Sequence, residues 1–449
     1  MESKFGPPVN RGMTQLDRSF FQKRLNLFVA YFPQPQYLGR FVKEAKNDIL
    51  NIPSVKHVVN VDGSKGVLLR GDLEKPSDLA PATTELLTSF GAEVRPYVMD
   101  LDYSFWKTDD ILRAVLPEDL LDDVPSGYAQ AGHVAHLNLR DEFKPYGELI
   151  GQVILDKNPK IETVVDKINT IDTKFRTFPM KLLAGRDDLN VEQSESGCRF
   201  RFDFSKVYWN SRLSTEHDRL ISQFKSGEVV GDVFAGVGPF AVPAGKKGVF
   251  CLANDLNPES YKYLVENVDL NKTGSYVKPF NLDGRDFIRQ SPQLLLNWQQ
   301  QQPTVKEKKV TKKRKTEDGK SEKSVETYEV PLPKYFAHYV MNLPDSALTF
   351  LDEFQGLYAD VEDIVKADPQ FKLPMIHCHC FEKYSHEEQP EPSQDEIQRR
   401  VHAKIQKLIN YDLPYEACSF HLVRKVAPTK PMFCVSFKLP EEVAFRKRS

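Results

Sequence analysis

The stretch VVGDVFAGVGPFAVPA, residues 229–244, decides the fold of this chain. The valines at its start predict a short buried strand that ends at Asp232, and Gly236 and Gly238 predict a tight turn that leads into a helix. A turn of this kind exposes backbone N–H groups to a ligand. The stretch therefore predicts the first strand and the ligand-binding turn of a nucleotide-binding sheet.

Two more units of strand and turn follow. The apolar run Val249–Ala253 ends just before Asp255, which lies about 20 positions beyond the glycine turn, the separation expected for a carboxylate that binds a ribose. The third run, Tyr276–Phe280, leads to Asp283 and Gly284. Three such units in a row predict a doubly wound parallel sheet with a nucleoside-containing ligand at the carboxyl ends of its strands.

The glycine turn departs from the fingerprint of dinucleotide-binding proteins. Its first two glycines are present, but Phe240 and Ala241 stand where the third glycine belongs, which disfavours NAD. A short glycine loop, an acid after the second strand and Asp-Gly after the third resemble the S-adenosylmethionine site of Rossmann-like methyltransferases. The alternative is a parallel-sheet domain whose turns need glycine for their geometry alone.

Composition limits the classes of protein that remain. A length of 449 residues suggests two or three domains, and a hydrophobic content of 40% is typical of globular proteins. The net charge of -2 means that any nucleic-acid surface must be a local patch. Six cysteines without a C-x-x-C pair fit reduced thiols inside a cell, no apolar run is long enough to span a bilayer, and no targeting segment is visible at the start.

The chain before the parallel sheet is expected to form two small α/β domains, residues 1–105 and residues 106–204. In the second domain, His133 and His136 should face opposite sides of a strand, so we interpret them as structural rather than as metal ligands. The hydrophobic patterns predict strands at Lys23–Phe32, Val55–Val61, Gly132–Leu139 and Thr163–Ile168, and helices at Tyr37–Leu50, Asp109–Leu116 and Tyr146–Leu155.

A cluster of cationic and aromatic residues lies near the end of the middle domain. The segment TKFRTFP, residues 173–179, combines rings that can stack on splayed bases with cations that can reach phosphates or carbonyl oxygens. The cluster indicates contact with RNA. By pattern alone, however, an arginine such as Arg176 is more often a surface residue.

Residues 205–449 contain the predicted parallel sheet. Just before its first strand, Thr215 and Asp218 have the spacing of a capping box, which places Glu216 in the first turn of a helix. An acid at that position either complements the helix dipole or takes part in chemistry, and the pattern alone leaves both interpretations open.

Two segments in the second half of this domain bear on the site. Residues 299–330 are polar and rich in lysine, which predicts a disordered insertion that serves either as a solvated tether or in nuclear import or RNA contact. The strand predicted at Ala337–Pro344 is expected to end at the ligand edge of the sheet, with Asn342 pointing into the site.

The last segments are predicted to be structural. The run Met375–Phe381 alternates histidine and cysteine, so the two residue types face opposite sides, and core packing is favoured over zinc binding. The runs Cys418–Arg424 and Met432–Lys438 predict a hairpin at the edge of the sheet. No metal site is predicted.

Eight segments carry a resemblance to a known family. They are PPVNRGMTQLDRSFF (7–21), FRTFPM (175–180), SKVYWNSRLSTEH (205–217), GDVFAGVGPFAVPA (231–244), NDLNPESYKYL (254–264), NLDGRDFI (281–288), HYVMNLPDSA (338–347) and HLVRKVAPTKPM (421–432). They are similar to segments of the eukaryotic and archaeal tRNA (guanine-N1)-methyltransferases, in particular the fungal members. The resemblance implies an N-terminal domain that docks on tRNA, a middle domain, and a Rossmann-like class I methyltransferase domain. It also implies methyl transfer from S-adenosylmethionine to N1 of the guanine at position 37, just 3′ of the anticodon.

The resemblance further implies roles for individual residues. Glu216 is the general base, Arg176 contacts the guanine, and Asn342 with Pro344 positions the target base. This chain has Asn-Leu-Pro where related N-methyltransferases have Asn-Pro-Pro and an aromatic residue, which disfavours direct stacking by this motif. The implied contacts with S-adenosylmethionine are His217, Asp255, Leu256, Asp283, Gly284 and Asn342, and Gly236 of the glycine turn is predicted to be a further cofactor-binding residue.

The chemistry of guanine agrees with these roles. Its N1 carries a proton, so an acceptor must remove that proton as the nitrogen approaches the sulfonium methyl group. We expect burial to raise the pKa of Glu216 in the complex with RNA and cofactor, against the helix dipole. Loss of the proton pushes negative charge onto O6, which the Arg176 guanidinium can stabilise, and the base is expected to turn out of its stack to reach the pocket.

Two other functions stay open. A related class of enzymes transfers the aminocarboxypropyl group of the same cofactor to the tricyclic base of the wyosine pathway, and a non-catalytic tRNA-binding protein is the second alternative. The motifs around Glu216 and Asn342 favour methylation. The resemblance implies a monomer in the cytoplasm and the nucleus, and the sequence leaves a mitochondrial pool open.

Overall fold

The computed structural model describes residues 4–168, 179–315 and 321–447, and for residues 309–315 and 321–325 it describes the backbone alone. Among these residues, no helix combines the length and the apolar character needed to cross a bilayer. The chain forms two compact units. The first comprises Met1–Ala129, Ala135–Lys167 and Lys181–Asp187, and the second comprises Gln130–Val134, Ile168–Met180 and Asp188–Ser449.

The first unit contains an antiparallel sheet of four strands. These are Lys23–Phe32 (β1), Val58–Val61 (β2), Ser64–Leu68 (β3) and Glu93–Leu101 (β4), in the spatial order β2-β3-β1-β4, with helices Leu38–Glu44 (α1) and Pro81–Ser89 (α2). The side chains of β1 alternate between two apolar clusters, because Leu25 and Leu27 enter one of them and Ala30 and Phe32 enter the other.

The predicted helix Tyr37–Leu50 is too long. Helix α1 ends at Glu44, and a separate 3-10 turn covers Lys46–Asp48. The chain leaves the helical path there because the buried Asp48 carboxylate accepts hydrogen bonds from Arg70 Nε at 3.0 Å and from the backbone N–H of Ala80 at 3.1 Å. This tertiary anchoring is invisible in the local sequence pattern.

A second sheet of four strands follows along the chain. Its strands are Ala129–Ala131 (β5), Val134–Leu137 (β6), Thr163–Lys167 (β7) and Met180–Gly185 (β8), in that order, and the helices nearby in sequence are Thr108–Val115 (α3) and Gly147–Lys157 (α4). The predicted strand Gly132–Leu139 is shorter than expected because Gly132 adopts φ +53° in the turn before β6.

One apolar cluster joins most of the two small domains predicted from the sequence. It includes Leu25 and Leu101 from the first of them and Ile111, Ile150 and Val164 from the second. These parts therefore form a single compact unit, while the boundaries drawn after residues 105 and 204 stay predictions.

From Asp188 onward, the second unit contains a hairpin and then the largest sheet. Its strands are Asn190–Glu195 (β9), Cys198–Asp203 (β10), Val229–Asp232 (β11), Phe250–Asn254 (β12), Val277–Phe280 (β13), Thr304–Lys315 (β14), Ser321–Pro331 (β15), His338–Met341 (β16), Met375–Phe381 (β17), Cys418–Ala427 (β18) and Lys430–Lys438 (β19). Its helices are Ser214–Gln223 (α5), Ala241–Lys246 (α6), Pro258–Leu270 (α7), Gly284–Gln301 (α8), Glu362–Lys366 (α9), Gln394–Ile409 (α10) and Glu441–Ala444 (α11).

The large sheet has the strand order β13-β12-β11-β16-β17-β19-β18. The five strands from β13 to β17 run parallel, and the terminal hairpin of β18 and β19 adds an antiparallel edge, as predicted. The chain order reverses between β11 and β16, which is where open α/β sheets bind their ligands. The three strand-and-turn units predicted from residues 229–287 are confirmed.

The prediction of disorder for residues 299–330 is wrong for the described part of that segment, because α8 continues through Gln301 and β14 pairs antiparallel with β15; residues 316–320 lie outside the described residues. Val305 faces Val330 in the hairpin and both are buried, while Lys306 faces Glu329. Cross-strand pairs of this kind stabilise a hairpin despite its high charge. Because lysines dominate the composition of this segment, its composition does not reveal these cross-strand pairs.

Candidate functional site

A cavity of about 420 Å³ lies at the carboxyl ends of the parallel strands. Four parallel strands each lead, within three residues of their end, to a residue that lines this cavity. Strands β11, β12, β13 and β16 lead to Phe234, Asp255, Asp283 and Asn342, in that order. A volume of this size suits a small organic ligand. The cavity therefore occupies the edge of the sheet that the sequence predicts for the ligand.

The glycine turn and Asp255 form one hydrogen-bonded wall of this cavity. The Gly236 N–H donates to Asp255 Oδ2 at 2.8 Å, and the Asn257 N–H donates to Oδ1 at 2.9 Å. Burial raises the pKa of Asp255, although these two hydrogen bonds oppose the shift. Gly238 has φ +99°, and a Cβ atom there would lie 2.7 Å from Val242, so the turn requires glycine.

The structure gathers the residues proposed for cofactor contact around this single cavity. His217 Nδ1 donates to the Glu195 carboxylate, and its ring meets Phe240 edge-on at 4.7 Å between centroids. Asp283 caps helix α8 by accepting from the Arg285 N–H at 2.9 Å. The predicted residues in the wall are His217, Gly236, Asp255, Leu256, Asp283, Gly284, Asn342 and Pro344.

Three polar atoms in residues of the cavity wall are buried without a hydrogen-bond partner in the described part of the chain. They are Trp209 Nε1, Asn342 Oδ1 and Arg424 Nε. Leaving such atoms unpaired costs free energy, so the arrangement indicates a polar ligand that supplies the missing partners. Two donors, an acceptor and the nearby carboxylate of Asp255 fit the hydroxyl and amino groups of an S-adenosylmethionine molecule.

Trp209, Arg424 and Asp232 are site residues for which the sequence predicted no role. Asp232 is fully buried at the end of β11, and neither carboxylate oxygen makes a well-formed hydrogen bond to a described residue. Burial, with a contribution from Asp255, raises its pKa to about 8. An acid that directly follows an apolar strand and precedes a glycine turn is the signal that could have identified it.

Glu216 lies in the first turn of α5, as predicted, but the predicted capping box is wrong. Helix α5 begins at Ser214 directly after a 3-10 turn, so Thr215 lies inside the helix, and Asp218 accepts from the Ser196 hydroxyl instead. The side chain of Glu216 is 2% exposed. The described residues that line the cavity include its neighbour His217 but not Glu216 itself.

The Glu216 carboxylate forms a network of ion pairs beside the cavity. Arg219 donates two hydrogen bonds to the carboxylate, at 2.6 and 2.8 Å, and His379 Nε2 donates to Oε1 at 2.8 Å. Burial acts to raise the pKa of Glu216, but these hydrogen bonds lower it to about 2. In the protein alone the pKa of Glu216 is therefore lowered, and the rise expected in the complex with RNA and cofactor stays a prediction.

His379, which the sequence predicts as a core residue, also belongs to a polar cluster. Its ring and the Glu216 carboxylate lie with Cys434 in a buried cluster whose ligand atoms are within 4.8 Å of one another. The Arg219 guanidinium occupies both carboxylate oxygens and adds a positive charge, which disfavours a cation at the same place. We therefore interpret the cluster as a hydrogen-bonded ion-pair network. Arg176, the other residue with a proposed role, lies outside the described residues.

Comparison with known proteins identifies the family. Residues 191–300 match the model of the TRM5/TYW2 methyltransferase domain, and residues 108–188 match that of the TYW2 N-terminal domain. A tRNA (guanine(37)-N(1))-methyltransferase from Candida albicans (strain SC5314) is 60% identical over 99% of both chains. The protein of the same name from Saccharomyces cerevisiae is 50% identical over 98% of this chain and 95% of its own. The chain belongs to the tRNA (guanine(37)-N(1))-methyltransferase family.

Solved structures support the fold of this family member. Trm5b from Pyrococcus abyssi has a TM-score of 0.58 and 21% identity, covering 92% of this chain and 99% of its own. The structure described as a complex of aTrm5 and tRNALeu has a TM-score of 0.60 and 19% identity, covering 92% of this chain and 100% of its own. The predicted fold, a Rossmann-like class I methyltransferase domain preceded by smaller α/β parts, is confirmed.

Proposed function

We propose that this member of the tRNA (guanine(37)-N(1))-methyltransferase family transfers the methyl group of S-adenosylmethionine to N1 of the guanine at position 37 of tRNA. The observation that carries the proposal is the convergence of eight predicted site residues on one cavity at the β11–β16 switch point. Relatives that span nearly the whole chain at 60% and 50% identity bear the name of this activity.

The walls of the cavity supply the groups that hold the cofactor. S-adenosylmethionine, when bound, supplies an electrophilic methyl group on a sulfonium. Asp255 and Asp283 follow the ends of neighbouring strands and offer carboxylate oxygens to hydroxyl or amino groups. Trp209 Nε1 and Asn342 Oδ1 offer a donor and an acceptor that have no partner in the described residues. Phe234 and Phe350 contribute apolar surface that keeps water from the pocket.

Glu216 is the proton acceptor in this proposal. Its lowered pKa keeps the side chain ionised at neutral pH, so the carboxylate is in the charge state that a base requires. An acid with a pKa of about 2 is nevertheless a weak base, so its proton affinity must rise when substrate binds. Arg176 is proposed to stabilise the negative charge that develops on O6 of the guanine.

Methyl transfer to a tRNA transcript tests the proposal directly. With S-adenosylmethionine labelled in the methyl group, we expect label on a transcript that has guanine at position 37 and none when adenine replaces it. Nuclease digestion and mass spectrometry should then locate the methyl group on N1. Equal labelling of the adenine transcript, or label on another atom of the guanine, would exclude the proposed specificity.

The role of Glu216 is tested with a matched pair of substitutions. We expect Glu216→Gln to bind S-adenosylmethionine normally but to lower the single-turnover rate by about 100-fold or more, because the amide cannot accept the proton. The control is Glu266→Gln, which makes the same change at an exposed position of α7. A rate equal to that of the wild type in Glu216→Gln would remove the proton acceptor from the mechanism.

A second candidate function has one observation in its favour. Residues 108–188 match the model of the TYW2 N-terminal domain, and the aminocarboxypropyl transferases of the wyosine pathway are the alternative drawn from the sequence. The same assay separates the two reactions. Methyl label on tRNA supports methylation, whereas label that reaches tRNA only from the aminocarboxypropyl carbons of the cofactor supports the alternative.

We further propose that the protein acts as a monomer in the cytoplasm and the nucleus. The proposal rests on the family resemblance and on the basic residues of the β14–β15 hairpin, which suit nuclear import. Light scattering at micromolar concentration is expected to give a mass near 51.5 kDa, and a fluorescent fusion is expected in both compartments. A dimer mass, or exclusion from the nucleus, would contradict it.

A further inference from the structure

The Glu216 carboxylate accepts three hydrogen bonds, two from Arg219 and one from His379. Oε1 accepts from Arg219 Nη2 and from His379 Nε2, both at 2.8 Å. Oε2 accepts from Arg219 Nε at 2.6 Å, and His421 Nε2 lies 3.5 Å away. An ionised carboxylate offers about four lone-pair sites, and three of them hold these hydrogen bonds while the His421 ring lies beside the fourth. Because the Glu216 side chain is also only 2% exposed, a guanine can reach one of its oxygens only after a neighbouring side chain moves.

The burial of the donors decides which of them can leave. His379 is fully buried on β17, whereas the Arg219 side chain is 27% exposed and the His421 side chain is 46% exposed. Departure of Arg219 frees two acceptor sites, whereas His421 makes no hydrogen bond to Glu216 whose loss would free one. A tRNA also brings phosphate groups, which compete well for a guanidinium that binds carboxylates in a bidentate manner. Arg219 is therefore the donor that substrate can displace.

We propose that Arg219 is a positioning residue that holds the Glu216 carboxylate by two hydrogen bonds, an arrangement that we call the latch. Substrate binding displaces the Arg219 guanidinium, while His379 continues to orient the carboxylate. The proposal rests on the proposed function, because it takes Glu216 as the proton acceptor. The oxygen released by Arg219 Nε, Oε2, is the one that receives the proton from guanine N1. His379 remains bound to Oε1 and keeps the carboxylate from turning away.

The electrostatics of the cluster are consistent with this latch. The groups that face Glu216 are Arg219 on α5, His379 on β17, His421 on β18 and Cys434 on β19. Burial raises the pKa of Glu216, and the hydrogen bonds from Arg219 and His379 lower it. Removal of Arg219 leaves the burial in place and takes away one of the two hydrogen-bonding partners, so the pKa of Glu216 must rise.

The substitution Arg219→Ala tests the latch through the pH profile. In the wild type the acid limb of kcat/KM, which reports the base of the free enzyme, should lie below the working pH range, because the pKa of Glu216 is about 2. We expect Arg219→Ala to move this limb upward by about one pH unit or more. At about pH 8 its single-turnover rate should rise about two- to fivefold, because no ion pair has to be broken.

Two further variants make the outcome decisive. Arg219→Lys keeps the positive charge but cannot make two parallel hydrogen bonds to the carboxylate. The acid limb of its pH profile should therefore lie between those of the wild type and Arg219→Ala. Gln223→Ala, an exposed change on the same helix, should alter neither quantity. Binding of S-adenosylmethionine by calorimetry confirms that each variant is folded. An unmoved acid limb, or a lower rate at about pH 8 in both Arg219 variants, would overturn the latch.

Glu216→Gln separates this failure from failure of the proposed function. If Glu216→Gln is inactive and the Arg219 variants show an unmoved limb, only the latch is wrong. If Glu216→Gln retains the rate of the wild type, Glu216 is not the base, and the latch falls with it.

Discussion

At the scale of single residues, the buried polar atoms of the cavity wall that lack a hydrogen-bond partner are the best evidence that the cavity binds a ligand. Trp209 packs its indole at a tilt against Phe200 and Phe202, at 5.5 and 5.1 Å between centroids, yet its Nε1–H has no partner among the described residues. A buried donor of this kind is tolerated when a ligand satisfies it. Trp209 therefore combines a structural ring with a binding atom.

We expect Trp209→Phe to weaken S-adenosylmethionine binding about tenfold, because the phenylalanine keeps most of the packing and removes only the donor. Calorimetric titration with the cofactor measures the change. Trp298→Phe is the matched control, since Trp298 Nε1 is also buried without a partner in the described residues but belongs to α8 away from the cavity wall. Equal affinity losses in the two variants would show that the indole donor of Trp209 does not contact the cofactor.

The sequence predicted some site residues and missed others for a physical reason. Asp255, Asp283 and Asn342 follow parallel strands, and the ends of such strands meet at one edge, so spacing along the chain is enough to find them. Trp209 precedes the sheet, and Arg424 lies on an antiparallel strand at its edge. Their place in the site depends on how distant parts of the chain pack, which no local pattern records.

At the scale of elements, the same contrast explains which predictions failed. The strands β11, β12 and β13 are short apolar runs that end at glycine or acidic turns, so pattern and structure agree. The lysine-rich segment has the composition of a disordered loop, but its described residues pair across β14 and β15, with one register shift between Val310 and Lys312. Composition ignores the order of residues along a strand, whereas cross-strand pairing depends on it.

The glycine turn gives a prediction at this scale. Gly238→Ala should lower the free energy of unfolding by roughly 1–3 kcal/mol, because φ is +99° and the new Cβ atom would press on Val242 at 2.7 Å and Leu264 at 2.8 Å. Gly236→Ala is the control, since its φ is +54° and nothing described lies within 4 Å of the added atom. Urea denaturation without ligand measures both. A smaller loss in Gly238→Ala than in Gly236→Ala would contradict the crowding at the turn.

At the scale of the whole molecule, the division of labour between the two compact units can be tested by separating them. All residues that line the cavity lie between Tyr208 and Met432, within the second unit. The first unit has its own apolar clusters and contains all of residues 1–105, the domain predicted to dock on tRNA. Cofactor binding and tRNA binding should therefore respond differently when the first unit is removed.

We expect the fragment Asp188–Ser449 to bind S-adenosylmethionine within a few-fold of the full chain, because it keeps the entire cavity wall, while its kcat/KM for tRNA falls by about 100-fold or more. Cofactor titration and methyl transfer on the same preparations measure the two quantities, and near-ultraviolet circular dichroism of the fragment checks its packing. The net charge of -2 strengthens the expectation, since the molecule has no overall attraction for RNA and must rely on local contacts. A fragment that methylates tRNA as efficiently as the full chain would place all the necessary RNA contacts in the second unit and leave the first without a docking role.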